Sequence, residues 1–293
     1  MKYLPEDLRR EYDYYTKACP DLEGLEHPLI NMSDTLRAYF ILVHYFSDDS
    51  GDEAVEKMLV GIRSTDLIAS ALSRQVTQFE GKIKYTEPLH ICATLFYGMV
   101  KNHSFNDGNK RTALLVLLYQ LQLYGYYPTK PKKEFEKLVV SVANNSIDED
   151  YKRYYKKFKK LDDNTDKIVR TISSVLKRLV AKKDNSYHIC PTMKDFCDAL
   201  SNYDVTCTQD NGKMKFLYRT PGEWRDVSAK EKSFSIPFGG WTRTVGPKTA
   251  RDTLRALGLY DQFASYKDIF RGSDPLYSLV DNFKEPLRRL KDM

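Results

Sequence analysis

The sequence predicts a mainly α-helical protein with a small β-hairpin flap in its first half and a small α+β domain at its C-terminal end. Three observations predict it. Apolar residues recur at three-and-four spacing through most of the first 180 positions. That period gives way to a two-residue alternation around Gly81. Beyond Lys182-Lys183-Asp184-Asn185-Ser186, short alternating runs separated by turn signals replace the helical pattern. A chain of 293 residues exceeds one average domain, so two units are expected. Hydrophobic residues at 42% and charged residues at 29% match ordinary globular usage and exclude wholesale disorder. A formal charge of +6, from 46 basic and 40 acidic residues, falls well short of an electrostatic nucleic-acid signature.

The elements follow in order. Ser33-Asp34 can cap a helix over Thr35 to Phe46, with Leu36, Tyr39, Phe40 and Val43 on one stripe. A second helix is expected over Asp66 to Arg74. From Thr77 to Tyr85 the residues Lys82, Ile83, Lys84 and Tyr85 alternate as in a short hairpin. Pro88 suits a first helical turn, and Leu89, Cys92, Ala93, Phe96, Met99 and Val100 carry that helix to Asn102. After a polar loop, Ser104 to Gly108, the segment Asn109 to Tyr124 is apolar nearly all round and belongs in the centre of a core; Gly125 stops it. A further helix, Glu134 to Asn144, completes the first domain, expected over 1–148. Asp150 to Lys160 is dense in Lys and Tyr, and an amphipathic helix follows from Thr165 to Leu179; 149–183 reads as a helical linker. The domain 184–293 is expected to contain a helix (Met193 to Leu200), strands near Val205 to Thr208, Lys213 to Arg219 and Ser233 to Phe238, and a helix over Pro247 to Leu257.

The chemistry concentrates in His103-Ser104-Phe105-Asn106-Asp107-Gly108-Asn109-Lys110-Arg111. Asn109, Lys110 and Arg111 open a buried helix, so free backbone amides and the positive end of its dipole face the preceding loop, where an anion is welcome. Lys110 and Arg111 add two cations. Gly108 lets backbone approach a phosphate closely, and Asn109 can donate its amide. Asp107 is placed to hold Mg²⁺ that also grips phosphate oxygens. His103, titratable near neutrality, can accept the proton of an attacking hydroxyl. Phe105 is the natural anchor beneath the loop, with Asn106 among its ligand-facing polar neighbours. Singly, each residue has an ordinary explanation: a helix cap, a turn, solvated charge. A base, a metal carboxylate, a permissive glycine and paired cations between two core helices form a coherent phosphate-handling set.

These nine residues resemble the signature of the Fic/Doc family, His-x-Phe-x-(Asp/Glu)-Gly-Asn-(Gly/Lys)-Arg. The resemblance extends over Gly61 to Arg74, the flap to Tyr85, Ala93 to Asn102, Thr112 to Tyr126 and Val139 to Asn144, about half the chain. It implies His103 as general base, Asp107 as the Mg²⁺ carboxylate, and Asn109, Lys110 and Arg111 as phosphate ligands, with ATP as co-substrate. The flap residues Phe79, Lys82, Ile83, Lys84 and Tyr85 would align a protein target by strand addition. Fic adenylyltransferases carry Gly where this sequence has Lys110; death-on-curing (Doc) toxins carry Asn-Lys-Arg and transfer the γ-phosphate of ATP to elongation factor Tu. The resemblance therefore implies phosphorylation of a protein hydroxyl, with adenylylation (AMPylation) as the alternative and a catalytically silent binding module as the competing class. Ser104 replaces a Pro common among relatives. The family's inhibitory (Ser/Thr)-x-x-x-Glu-(Gly/Asn) segment has no match, since Glu23 and Glu80 are preceded four residues earlier by Cys19 and Val76. Restraint of a toxin would then come from a separate antitoxin.

Phe234-Ser235-Ile236-Pro237, then Val245 to Arg251 and on to Leu259, is similar to the last strand and helix of HicA-like domains, which have a double-stranded-RNA-binding-like fold. The His such ribonucleases carry in the second strand is missing, because Lys213-Met214-Lys215-Phe216 follows Gly212. The resemblance implies a nucleic-acid or partner module, with Lys213, Lys215, Arg243, Lys248 and Arg251 as phosphate contacts; solvated charges on a structural appendix are the alternative. His188, Cys190, Cys197 and Cys207 lack zinc spacing, and Gly246-Pro247-Lys248-Thr249 lacks the rest of a P-loop. Five unpaired-looking cysteines and a polar start point to a reducing, cytoplasmic setting. The longest apolar run, Ala113 to Tyr119, is far below the roughly 20 residues of a membrane span.

Overall fold

A computed structural model describes residues 4–47, 58, 60–182, 192–201, 203–219, 231–260 and 275–290. In chain order the elements are α1 (Glu6–Ala18), α2 (Met32–Ser47), α3 (Thr65–Ser73), β1 (Gln78–Phe79), β2 (Lys82–Ile83), α4 (Pro88–Lys101), α5 (Asn109–Leu123), β3 (Tyr126–Pro128), α6 (Lys132–Ala143), α7 (Ile147–Asp150), α8 (Lys152–Tyr155), α9 (Asn164–Leu179) and β4 (Val180–Lys182). They continue with α10 (Met193–Ser201), β5 (Val205–Asp210), β6 (Lys213–Arg219), β7 (Glu231–Pro237), α11 (Pro247–Leu257), α12 (Pro275–Asn282) and α13 (Lys284–Arg289). The protein is mainly helical, with small antiparallel sheets. Among the described residues no helix is long and apolar enough to cross a membrane.

The chain divides into two units, Met1–Lys183 with Leu276–Met293, and Asp184–Pro275. In the first unit α5 is the central rod. Every residue from Arg111 to Leu121 is buried, because α5 packs against α2, α4 and α6 and has no face left for solvent. α4 lies beside it and buries Cys92, Ala93, Leu95, Phe96, Met99 and Val100. A polar lock joins the segment leading into α2 with α3 and α5 inside this core. Gln75 Nε2 donates to the carbonyls of Ile30 (2.8 Å) and Leu72 (3.0 Å), and its Oε1 accepts from Ile30 N and Gln120 Nε2.

Two boundaries differ from the sequence expectation. The stretch 149–183 is not a separate linker: α9 buries Val169, Ile172, Val175, Leu176 and Leu179 against α4, and β4 pairs antiparallel with β3. Its stripe is amphipathic because it faces this core. Residues 276–293 join the first unit rather than the second. Phe283 meets Phe135 edge to face at 5.7 Å, and Arg289 donates from Nε and Nη2 to the buried carboxylate of Glu136, at 2.9 and 2.7 Å to Oε2. Leu176→Ala is expected to destabilise the first unit by about 2–5 kcal/mol in urea unfolding, as large-to-small changes at tightly packed core sites do; a change confined to a few tenths would mean that α9 is peripheral.

The second unit has the order α-β-β-β-α. β5, β6 and β7 form an antiparallel sheet with β6 in the middle, and the β5–β6 turn is Asn211-Gly212, both at positive φ as a two-residue hairpin needs. Met214 and Phe216 point to one face and meet Phe196, Leu200, Ala250, Leu254 and Leu257 in a separate core. Thr192 and Asp195 cap α10 reciprocally, and Gly258, left-handed, ends α11.

Candidate active site

The candidate site is the loop between α4 and α5. Its ends are fixed by two largely buried helices, and its floor is one ring. Phe105 is 2% exposed and stacks on Tyr39 of α2, with ring centroids 4.2 Å apart and 14° between planes. Tyr39 in turn accepts from Gly61 N (3.0 Å) and donates to Gly61 O (3.1 Å). Burial pushes the Tyr39 phenol up to about 12, so the hydroxyl stays protonated and keeps its donor role. The strip Gly61–Ser64 runs antiparallel to the loop. Asn106 N donates to Gly61 O (3.0 Å), and Arg63 N and Ser64 N both donate to Ser104 O (2.9 and 3.2 Å). The loop is therefore held as a short strand would be.

Two glycines permit this packing. Gly61 sits at φ +144°, and a Cβ there would come within 2.3 Å of Asn106 Nδ2. Gly108, at φ +77°, caps α5, and a Cβ there would meet the Met58 methyl at 2.1 Å. Gly108 is thus favoured by the left-handed turn, and it packs against the end of the Met58 side chain, a contact the sequence alone did not reveal.

His103 is exposed and has φ +48°, a left-handed conformation that is costly for a side-chain-bearing residue and is held here by the surrounding loop. Asp107 is half-buried, and its Oδ1 accepts from Gly108 N at 2.5 Å. The backbone N–H groups of Asn109 and Lys110 have no acceptor among the described residues, as expected at a helix start that can receive an anion. Lys110 is half-buried and makes no ion pair among the described residues.

Two expected phosphate ligands have other tasks in this structure. The side chain of Asn109 is turned onto the loop: Oδ1 accepts from Phe105 N (2.9 Å) and Nδ2 donates to Phe105 O (2.8 Å). It braces the anchor. Arg111 is 2% exposed with its guanidinium 5.0 Å from the Phe46 ring centroid. Asn106 is exposed above the loop. Among the described residues no group of three or more His, Cys, Asp or Glu is assembled. Asp107 is a single carboxylate, which suits a Mg²⁺ site completed by substrate phosphates and water and does not suit an all-protein cage.

The flap forms where alternation predicted it. Gln78 pairs with Ile83 and Phe79 with Lys82 across Glu80-Gly81, both at positive φ. Phe79 (70%) and Ile83 (50%) are exposed, and Lys82 is exposed as well. Lys84 and Tyr85 are instead anchors. Tyr85 Oη donates to Asp166 Oδ1 (2.8 Å), Arg170 Nε donates to Asp166 Oδ2 (3.0 Å), and Lys84 Nζ reaches Asp163 Oδ2 at 3.1 Å. The Lys84 contact holds the Asp163 carboxyl below its ordinary range. α9 thus pins the flap, and nothing in the local sequence paired Tyr85 with a residue 81 positions away.

Residues 30–121, from the entry to α2 to the end of the buried stretch of α5, match the model of the Fic/DOC family. No curated protein and no solved structure matches the chain. The matched span contains the loop, its supporting strip and the flap, so this part of the chain is similar to a class of transferases that modify proteins with a nucleotide or phosphate group.

Proposed function

We propose that the protein transfers the γ-phosphate of ATP to a hydroxyl of a protein target, with His103 as general base. The observation that carries this reading is the loop itself: an exposed His103 and a half-buried Asp107 stand on either side of a rigid Phe105 anchor, next to a helix start with unsatisfied amides. Lys110 at that helix start supports the γ-phosphate orientation over adenylyl transfer, since its cation takes the space that the smaller residue leaves for phosphates. Asp107 would hold Mg²⁺, which supplies charge neutralisation for the phosphates when bound. His103 removes the proton from the target hydroxyl, and the Asn109 and Lys110 amides receive the phosphate charge.

α3 starts beside the loop, where Ser64 N donates to Ser104 O, and runs along α4 until Arg74 donates to Thr94 O. Its 9 residues set the flap's root roughly 14 Å from the loop. About four extended target residues cover that span. The exposed edge of Phe79 to Ile83 would align them. Family resemblance makes a translation factor such as elongation factor Tu the first target to try, with a separate antitoxin as restraint. The α-β-β-β-α order of the second unit supports a binding module there. Lys213 and Lys215 alternate with buried Met214 and Phe216 and so face away from the helices, whereas Lys248 and Arg251 lie on α11; the expected contacts do not share one surface.

The deciding experiment incubates lysate with the protein, Mg²⁺ and ATP labelled at either the α or the γ phosphate. Protein label from γ alone is expected. Label from α makes the protein an adenylyltransferase, and transfer from neither position overturns the enzyme reading. Asp166→Ala is expected to raise KM for the protein target about tenfold or more with kcat little changed, because it frees Tyr85 and loosens the flap; equal loss in kcat would place Asp166 in the chemistry instead.

A further inference from the structure

The strongest feature outside this site is the surface from Tyr151 to Lys160. Six of the nine residues in Lys152-Arg153-Tyr154-Tyr155-Lys156-Lys157-Phe158-Lys159-Lys160 are basic and none is acidic. All six cations are exposed, and none forms an ion pair with a described residue. The acids nearby are largely engaged elsewhere. Asp150 accepts from the hydroxyls of Ser141 and Ser146, both at 2.6 Å, Glu134 pairs with Arg178 at 2.7 Å, and Asp163 holds Lys84. Glu149 and Asp162 flank the run and face solvent.

Beside this run lies a cleft of about 390 Å³ lined by four cations (Lys137, Lys152, Arg153 and Arg178), the rings of Tyr151 and Tyr154, and three carboxylates, Glu134, Glu149 and Asp150, of which Glu134 is paired with Arg178 and Asp150 with two serine hydroxyls. Tyr151 is 6% exposed, and its hydroxyl has no hydrogen-bond partner among the described residues. A buried donor without an acceptor is uncommon in a folded protein, and at the edge of this cleft a ligand group or an ordered water can satisfy it. Lys137 Nζ stands 5.8 Å from the Tyr151 ring centroid, and Lys157 Nζ 5.3 Å from that of Tyr154, so the aromatic faces here already attract cations.

We propose that this surface binds single-stranded nucleic acid, with the backbone along Lys152 to Lys160 and one nucleotide entering the cleft at Tyr151. The cations are spread along about two helical turns, which suits a chain of phosphates better than a single one. Half-buried Tyr154 and Phe158 between them offer stacking faces that an acidic peptide would not use. α8 is a single turn, too short to read a duplex major groove. The proposal does not depend on the transferase reading.

The test uses the full chain and fluorescent single strands of about 15 nucleotides, RNA and DNA, in anisotropy titrations over a salt series. The variant Lys152→Gln/Arg153→Gln/Lys156→Gln/Lys157→Gln is expected to bind at least tenfold more weakly. It should also flatten the slope of log affinity against log salt by about 3, roughly 0.7 for each phosphate that the variant leaves without its cation. Arg10→Gln/Lys17→Gln, at exposed positions of α1, should leave both unchanged, and Tyr151→Phe should weaken binding several-fold with the slope preserved. Binding of either polymer with these losses supports the site, and the tighter of the two names its source. No binding at low salt, a quadruple variant with unaltered affinity and slope, or equal competition by polyglutamate of similar length would overturn it.

Discussion

Phe105→Ala is expected to destabilise the first unit by about 3–5 kcal/mol and to abolish transfer. The ring is 2% exposed, stacks on Tyr39 and carries the backbone groups that Asn109 grips. Removing it deletes buried apolar area, leaves a cavity between α2 and α5, and loses the aromatic pair, worth about 0.5–1.5 kcal/mol beyond area. The Gly61–Ser64 strip loses its register partner at the same time. Urea unfolding of the full chain, followed by helical circular dichroism and by transfer activity, reads both effects. Phe105→Leu separates them: much of the stability should return while activity stays depressed, because a flexible side chain fills volume without fixing the loop. An alanine variant with near-parental stability would mean that the loop is held by its hydrogen bonds alone.

His103→Gly is expected to reduce transfer by about two to four orders of magnitude while raising stability by roughly 1 kcal/mol. The two effects oppose each other because His103 is both the base and a strained residue at φ +48°. Glycine relieves that conformation, and part of the gain is returned through the larger freedom of the unfolded chain. His103→Ala removes the imidazole but keeps the strain, so it should match the glycine variant in activity and the parent in stability. Retained transfer in either variant removes the base assignment. A glycine variant no more stable than the alanine one removes the strain argument.

Helices were legible wherever one face is buried, since three-and-four spacing records which side meets a core. α4, α5, α6, α9, α10 and α11 begin and end close to where caps, Pro88, Gly125 and Pro247 predict, and the flap appears at its alternation. α1 escaped the pattern because it buries little more than Leu8. The short β3 and β4 were hidden because their pairing joins residues more than 50 positions apart.

Reading 149–183 as a linker failed for a related reason. An amphipathic stripe shows that a helix packs, and only the tertiary structure shows against what. Here α9 packs against α4 and pins Tyr85 and Lys84, so a segment outside the motif controls the flap's footing. Likewise the charge run at Lys152 to Lys160 was visible in the sequence, but the cleft and the unpartnered Tyr151 hydroxyl were not.

By itself the sequence determined the chemistry that the loop can present: which residues can take a proton, hold a metal or admit a phosphate, because those capacities belong to side-chain types and to their place between two helices. The tertiary structure decided how the work is divided. Asn109 turns onto the Phe105 backbone, Arg111 is buried beside the Phe46 ring, Gly108 packs against Met58, and the helix-start amides of Asn109 and Lys110 have no acceptor among the described residues. The reason is physical. A polar side chain serves whichever partner the packed chain brings within hydrogen-bond distance, and in this fold the nearest partners of Asn109 are the Phe105 N–H and carbonyl.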